Sequence, residues 1–186
     1  VTLKALATDV DLEDPEALAR LAAESGVELA AEDGRQIVRL DGRDVTDQIR
    51  VNRVSTNAHY VARTPEVRRI LVEKQRRFAL SAGDVVAEGR DQGTVVFPEA
   101  ACKFFLDAAP EARARRRQQE LHERGEYPSF EQVLDQVKRR DETDRNRDVG
   151  PLRPAEDAIH LDTTDLGIEE MVDALEAEVR RCGGES

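Results

Sequence analysis

The stretch Glu88-Gly89-Arg90-Asp91-Gln92-Gly93-Thr94-Val95-Val96-Phe97-Pro98 constrains this chain more than any other. It sets a short run of charges between two glycines, directly after the apolar run Val85-Val86-Ala87. Its residues read as a strand end that becomes a binding loop. A second apolar run, Cys102 to Leu106, stops at Asp107 and leads into a helix-like segment, giving a β-loop-β-α order. In open α/β sheets ligands bind at the carboxyl ends of strands. Gly89 and Gly93 are expected to let the backbone turn and approach a ligand closely. Arg90 offers a planar donor fork and Asp91 a pair of acceptors. An ordinary turn carrying a surface ion pair fits the same residues.

A chain of 186 residues suits one domain with a small insertion. Charged residues are 36% and aromatics 4%, so the core has to be aliphatic. A net charge of -11 opposes general binding to nucleic acid or to an anionic membrane, both of which need a cationic surface. Local basic clusters remain able to hold a small anion. Cys102 and Cys182 are far apart in sequence, which suggests neither a disulfide framework nor a metal cluster. A reducing cytoplasm is the simplest compartment. No stretch approaches the roughly 18 apolar residues of a membrane helix. Val1 to Leu6 reads as the middle of a helix without a cap.

Asp14-Pro15, the apolar Leu18, Leu21 and Ala22, and Gly26 predict a helix over 15–25, with the glycine at its C′ position. Glu32-Asp33-Gly34-Arg35 between two apolar runs predicts a hairpin, Val27 to Ala31 with Gln36 to Leu40. A third extended piece is expected at Asp44 to Arg50, making a small antiparallel insertion; a decorative surface hairpin fits equally well. Thr64-Pro65 caps a helix to about Leu80, with Val67, Leu71, Gln75 and Phe78 along one side. Ala109-Pro110 opens another, 110–124, in which Arg113, Arg116 and Arg117 share a face. Glu111, Glu120 and Glu123 are able to neutralise that face. Ser129-x-x-Gln132 is a capping box, followed by the apolar stripe Phe130, Val133, Leu134 and Val137. Beyond it the stripe turns to Arg140, Asp144 and Arg147, as in a helix whose far end leaves the core for a site or for solvent. Ala158 to Leu161 is the last strand. Ile168, Met171, Val172, Leu175 and Val179 are the expected inward face of the last helix.

Several of these motifs in this order resemble bacterial cytidylate kinase. They are Asp41-Gly42-Arg43-Asp44-Val45-Thr46-Asp47-Gln48-Ile49-Arg50, Pro65-Glu66-Val67-Arg68, the Glu88 to Pro98 stretch, Lys103-Phe104-Phe105-Leu106-Asp107-Ala108, and Arg140 through Arg147. Leu152 to Ala158 and the last strand continue the match, which runs from Val1 to about Leu175. The resemblance implies a P-loop nucleoside monophosphate kinase fold: a parallel sheet with flanking helices and a small antiparallel insertion. It implies transfer of the ATP γ-phosphoryl group, with Mg2+, to CMP or dCMP, in a cytoplasmic monomer. It makes the chain a single kinase domain, with the monophosphate-binding insertion at 27–63 and the lid with its flanking helices at about 113–147. Arg68 would hold the monophosphate, and Asp91, with Arg90 beside it, would recognise the nucleoside. Arg140, Asp144 and Arg147 would surround the substrate sugar and phosphate. Arg113, Arg116 and Arg117 would flank the lid near ATP, with Arg116 and Arg140 acting on the transferring phosphates. Phosphoryl transfer asks mainly for placed positive charge, so arginines from several elements suit it.

Two departures from the family pattern stand out. His59 occupies a position where the family usually has a serine expected to touch the substrate, so base or phosphate recognition is expected to change there; a local structural accommodation is the plainer alternative. No Gly-x-x-x-x-Gly-Lys-Ser/Thr occurs, and by the resemblance that loop and the first strand belong upstream of Val1. Without them Val85 to Ala87 and Cys102 to Leu106 would each lose a neighbour. Two further readings are a non-catalytic nucleotide-binding module, and a fragment whose missing strand comes from another chain.

Overall fold

Helical spacing of apolar residues near the start builds the first layer of the computed structural model, which describes residues 1–32, 35–146 and 149–183. Helix α1 (Thr2–Ala7) has no side-chain cap at Val1. Helix α2 (Pro15–Glu24) has the expected cap, Asp14 accepting from the backbone N–H groups of Glu16 and Ala17 at 2.9 and 3.0 Å. Its other end departs from expectation. Gly26 is not in the left-handed region; Ser25 is extended, and the Lys74 ammonium donates to the carbonyls of Ala23 and Ser25 instead.

Strands β1 (Val27–Glu32) and β2 (Arg35–Leu40) pair antiparallel from Val27 with Leu40 to Glu32 with Arg35. The Asp33-Gly34 turn itself lies outside the described residues. A second turn, Asp41-Gly42, has φ of 52° and 77°, a left-handed pair that suits a two-residue hairpin. Strand β3 is only Arg43–Asp44, and Gln48–Arg50 forms a 3₁₀ turn, so the extended piece expected to Arg50 is corrected. The side chains explain why. The Thr46 hydroxyl accepts from the Val38 N–H at 2.9 Å, and Asp44 accepts from the Thr46 N–H, so local side-chain bonds replace the ladder.

Helices α3 (Asn52–Arg63) and α4 (Pro65–Ala82) follow. Thr64 occupies the N-cap position of α4 ahead of the first-turn proline, but without a side-chain capping bond, its hydroxyl donating back to the Tyr60 carbonyl at 2.9 Å. Ala5, Leu18, Leu21, Ala22, Val61 and Val67 form one buried core. The α4 stripe fades from buried Val67 through half-buried Leu71 to exposed Phe78. Its partner α2 is about 15 Å long against about 27 Å for α4, and cannot cover it to the end. These elements make one compact unit, Val1–Val85.

The second unit is Val86–Ser186. Val85 to Ala87 is not a strand: among the described residues it pairs with none, and Val86 is fully exposed. An apolar run without a hydrogen-bonded neighbour has nothing to make it a strand. Gln92–Val96 forms a π-helical turn. Strand β4 (Phe104–Asp107) pairs parallel with β5 (Ile159–Asp162), joined by helices α5 (Pro110–Glu123) and α6 (Phe130–Asn146). The Ser129–Gln132 box forms in both directions, at 2.9 and 3.3 Å. Ala114, Leu121 and Val133 are the buried seam between α5 and α6, with Phe130, Leu134 and Val137 against it.

Helix α7 (Ile168–Gly183) corrects a further expectation. Ile168, Val172 and Val179 are exposed, and only Met171 and Leu175 of its apolar face are half-buried. The two strands of the β4–β5 sheet are too narrow a surface to cover the helix among the described residues. The cysteines also depart from expectation: Cys102 and Cys182 are joined as a disulfide with Cα atoms 5.5 Å apart. A helix that follows a parallel strand runs back along it, so the last turn of α7 reaches the start of β4, a closeness that sequence spacing does not register.

Candidate functional site

The loop between α4 and β4 meets the far end of α6. Arg90 Nε donates to Asp144 at 2.8 Å, and Arg140 lies one turn before Asp144 at 4.0 Å, an ion-pair distance rather than a hydrogen bond. Asp144 is well covered while Arg140 is exposed. Asp91 is buried, and its carbonyl accepts from the N–H groups of Val95 and Val96, which makes it the origin of the π-helical turn. Neither Gly89 nor Gly93 has a left-handed φ. At Gly89 a Cβ would stand 2.7 Å from the Gln92 amide nitrogen and 3.0 Å from its Cγ, so a side chain there would displace that of Gln92. Arg147, expected beside these residues, lies outside the described residues. Of the charged end of α6, Asp144 therefore faces the Gly-Arg-Asp loop, while Arg140 stands in solvent.

The arginines of α5 have definite partners. Arg113 grips Asp141 with two bonds of 2.7 and 2.6 Å and donates through Nε to the Ala108 carbonyl at 3.0 Å. This bond holds the Asp141 carboxyl below its ordinary value and raises the guanidinium. Arg116 donates to the carbonyls of Thr163 and Leu166 and to the Thr163 hydroxyl. Arg117 pairs with Glu120 along its own helix, at 2.8 Å. Of the three neutralising glutamates expected, only Glu120 takes one of these arginines in the described ion pairs; Glu111 pairs with Lys138.

A hollow of about 240 Å³ opens at the carboxyl ends of β4 and β5, lined by Asp107, Arg113, Arg145, Asp162 and Thr164. Parallel α/β sheets bind ligands in this position. Thr164 orders its rim, donating its N–H and hydroxyl to Asp162, which lowers that carboxyl, and accepting from the Ala109 N–H.

Arg68 and His59 belong to the first unit. Arg68 is half-buried in the first turn of α4. Its neighbour Arg69 is committed to Glu66 and Glu73. His59 is exposed on α3, donates through Nδ1 to the Thr56 carbonyl at 2.8 Å, and lies against the Tyr60 ring at 4.1 Å.

Sequence reasoning gave no role to Asp141, Thr163 or Lys103. Thr163 is buried, its hydroxyl donating to the Asp107 carbonyl while its own carbonyl holds Arg116. Lys103 is covered to 8% exposure and ties the Pro98 carbonyl to Asp157. A lysine inside an apolar run was the available signal for it; Asp141 and Thr163 carry none outside the fold.

A model of the cytidylate kinase family matches residues 1–181. The cytidylate kinase of Pasteurella multocida is 47% identical over 170 residues, covering 91% of this chain and 74% of its own length. That of Vibrio cholerae is 47% identical over 173 residues, 93% of this chain and 76% of its own. That of Carboxydothermus hydrogenoformans is 46% identical over 175 residues, 94% and 78%.

Proposed function

The chain belongs to the cytidylate kinase family, and on that premise we propose that Asp91, with Arg90 beside it, recognises the nucleoside of the substrate and that Arg140 and Asp144 surround its sugar and phosphate. The family is one of ATP-dependent nucleoside monophosphate kinases, and the activity is phosphorylation of CMP or dCMP in pyrimidine nucleotide metabolism. The observation that carries the site assignment is the 2.8 Å pair between Arg90 and Asp144. It holds a donor fork and a carboxylate together in one place, where a pyrimidine nucleotide presents both acceptors and donors. Arg147 belongs to the same group by the family motif. Arg68 is assigned to the substrate phosphate, and His59 to the substrate side with its Nε2 edge, Nδ1 being committed to Thr56.

Arg113, Arg116 and Arg117 are assigned to the lid, about 113–147. Arg116 and Arg140 are the residues proposed to reach the transferring phosphates, which for Arg116 means leaving its bonds to Thr163 and Leu166 as the lid closes. Positioned cations stabilise the charge spread over the transferring group, and closure excludes water. Magnesium is usually held by substrate phosphates with one or two carboxylates rather than by a protein cage. Among the described residues no group of three or more His, Cys, Asp or Glu could hold a metal. When bound, Mg2+ would neutralise charge on the ATP phosphates. Residues 27–63 are assigned as the monophosphate-binding insertion of a single kinase domain. No described helix is long and apolar enough to cross a membrane, and a cytoplasmic monomer is the proposed setting.

The test is ADP release from ATP and Mg2+ with CMP, dCMP, UMP or AMP as acceptor. CMP and dCMP are expected to be phosphorylated at least tenfold more efficiently than UMP or AMP. Equal use of all four would overturn the cytidine-side assignment.

A further inference from the structure

We propose that Cys102 and Cys182 are a reversible redox latch that fixes helix α7 to the start of β4. The two are the only cysteines of the chain, and they close a covalent loop across 80 residues of sequence. Their Cα separation of 5.5 Å is one that a disulfide spans without backbone movement. Both residues are partly exposed, so a small thiol or disulfide can reach them.

Packing leaves α7 dependent on this bond. The helix has no buried residue, and Ile168, Val172 and Val179 are each about half exposed or more. Its first turn is anchored through the segment that holds Arg116, whose guanidinium bonds the carbonyls of Thr163 and Leu166. Its last turn is anchored by the disulfide, beside a long contact of the Cys102 sulfur with the Glu178 carbonyl. Elements with few buried apolar contacts open locally at little cost. Cutting the bond therefore releases the end of α7 while leaving the α5–α6 seam of Ala114, Leu121 and Val133 intact.

The oxidant is a low-molecular-weight disulfide. One cysteine thiolate attacks it and forms a mixed disulfide, expelling one small thiolate; the second cysteine thiolate attacks that bond and expels the other. Two cysteine thiols lose two electrons and two protons, and one small disulfide becomes two thiols. A dithiol reverses the exchange. A partly exposed pair is open to exchange with small thiols and disulfides, which a fully buried one is not. The inference stands on the second unit alone and does not depend on the kinase assignment.

The experiment is hydrogen exchange of the full chain after oxidised glutathione or after dithiothreitol, with thiols counted by alkylation and mass in denaturant. The oxidised protein is expected to show no free thiol and the reduced protein two. On reduction, amides 176–182 should exchange at least tenfold faster, while α5 and α6 amides change less than twofold. Cys102→Ser and Cys182→Ser, each with a single cysteine left, should show the fast α7 exchange of the reduced protein under both conditions, so the wild-type comparison and the variants check one another. Two free thiols after the oxidant, a disulfide-linked dimer, a bond that resists dithiothreitol in the folded protein, or equal α7 exchange in both states would overturn the proposal.

Discussion

Arg90 comes from a loop and Asp144 from a helix end, and their 2.8 Å bond is the residue-scale fact on which the substrate assignment rests. Both were legible in the sequence, because the Gly-Arg-Asp stretch and the charged end of the helix each carry a local pattern. Asp141 was not, since its importance comes from Arg113 on another helix. Its carboxyl is lowered by that bond, so the stabilisation is fully present above about pH 4 and is lost as the pH falls through the lower folded-state value. Asp141→Asn should cost about 1–2 kcal/mol near neutrality. The difference in Tm between wild type and variant should shrink towards zero in acid; a difference unchanged from pH 7 to pH 3 would refute it. His59 is held locally by Thr56 and Tyr60, so its share of substrate binding is expected to be small beside that of Arg68. His59→Ala should shift the KM for CMP less than tenfold and Arg68→Ala more than tenfold. Reversed effects would move the phosphate contact to α3.

At the scale of elements, caps and turns were readable because their chemistry is local. Asp14 before α2, the Ser129–Gln132 box and the β1–β2 pairing all follow from a few adjacent residues. Segments whose state depends on a distant partner were not. Val85 to Ala87 reads as a strand by composition yet has no strand beside it among the described residues, and Thr46 diverts residues after β3 through its own hydroxyl. Lys74 closing the end of α2 from α4 is equally invisible in sequence. The box is expected to matter to α6: Ser129→Ala should cost about 1 kcal/mol, read as a lower urea midpoint. Because Ser129 and Gln132 bond reciprocally, the double variant with Gln132→Ala should lose less than the sum of the two single losses. Strict additivity would show that the two bonds act independently.

At the scale of the molecule, the aliphatic core expected from the aromatic content of 4% is what each unit contains, Leu18 and Val67 in one and Val133 in the other. The charge of -11 is consistent with recognition by placed arginines rather than by a general cationic surface. The family was legible because its motifs run along most of the chain, whereas the disulfide and the open face of α7 arise only when the helix returns to the sheet. The Gly-Arg-Asp loop and the end of α6 are the elements proposed to bind the cytidine nucleotide. Calorimetric titration of CMP into the wild type, Arg90→Ala, Asp144→Asn and a surface control, Glu176→Gln, tests this most directly. Saturable binding is expected for wild type and control, weakened at least tenfold in the Arg90 and Asp144 variants; wild-type affinity in both variants would place the nucleotide elsewhere.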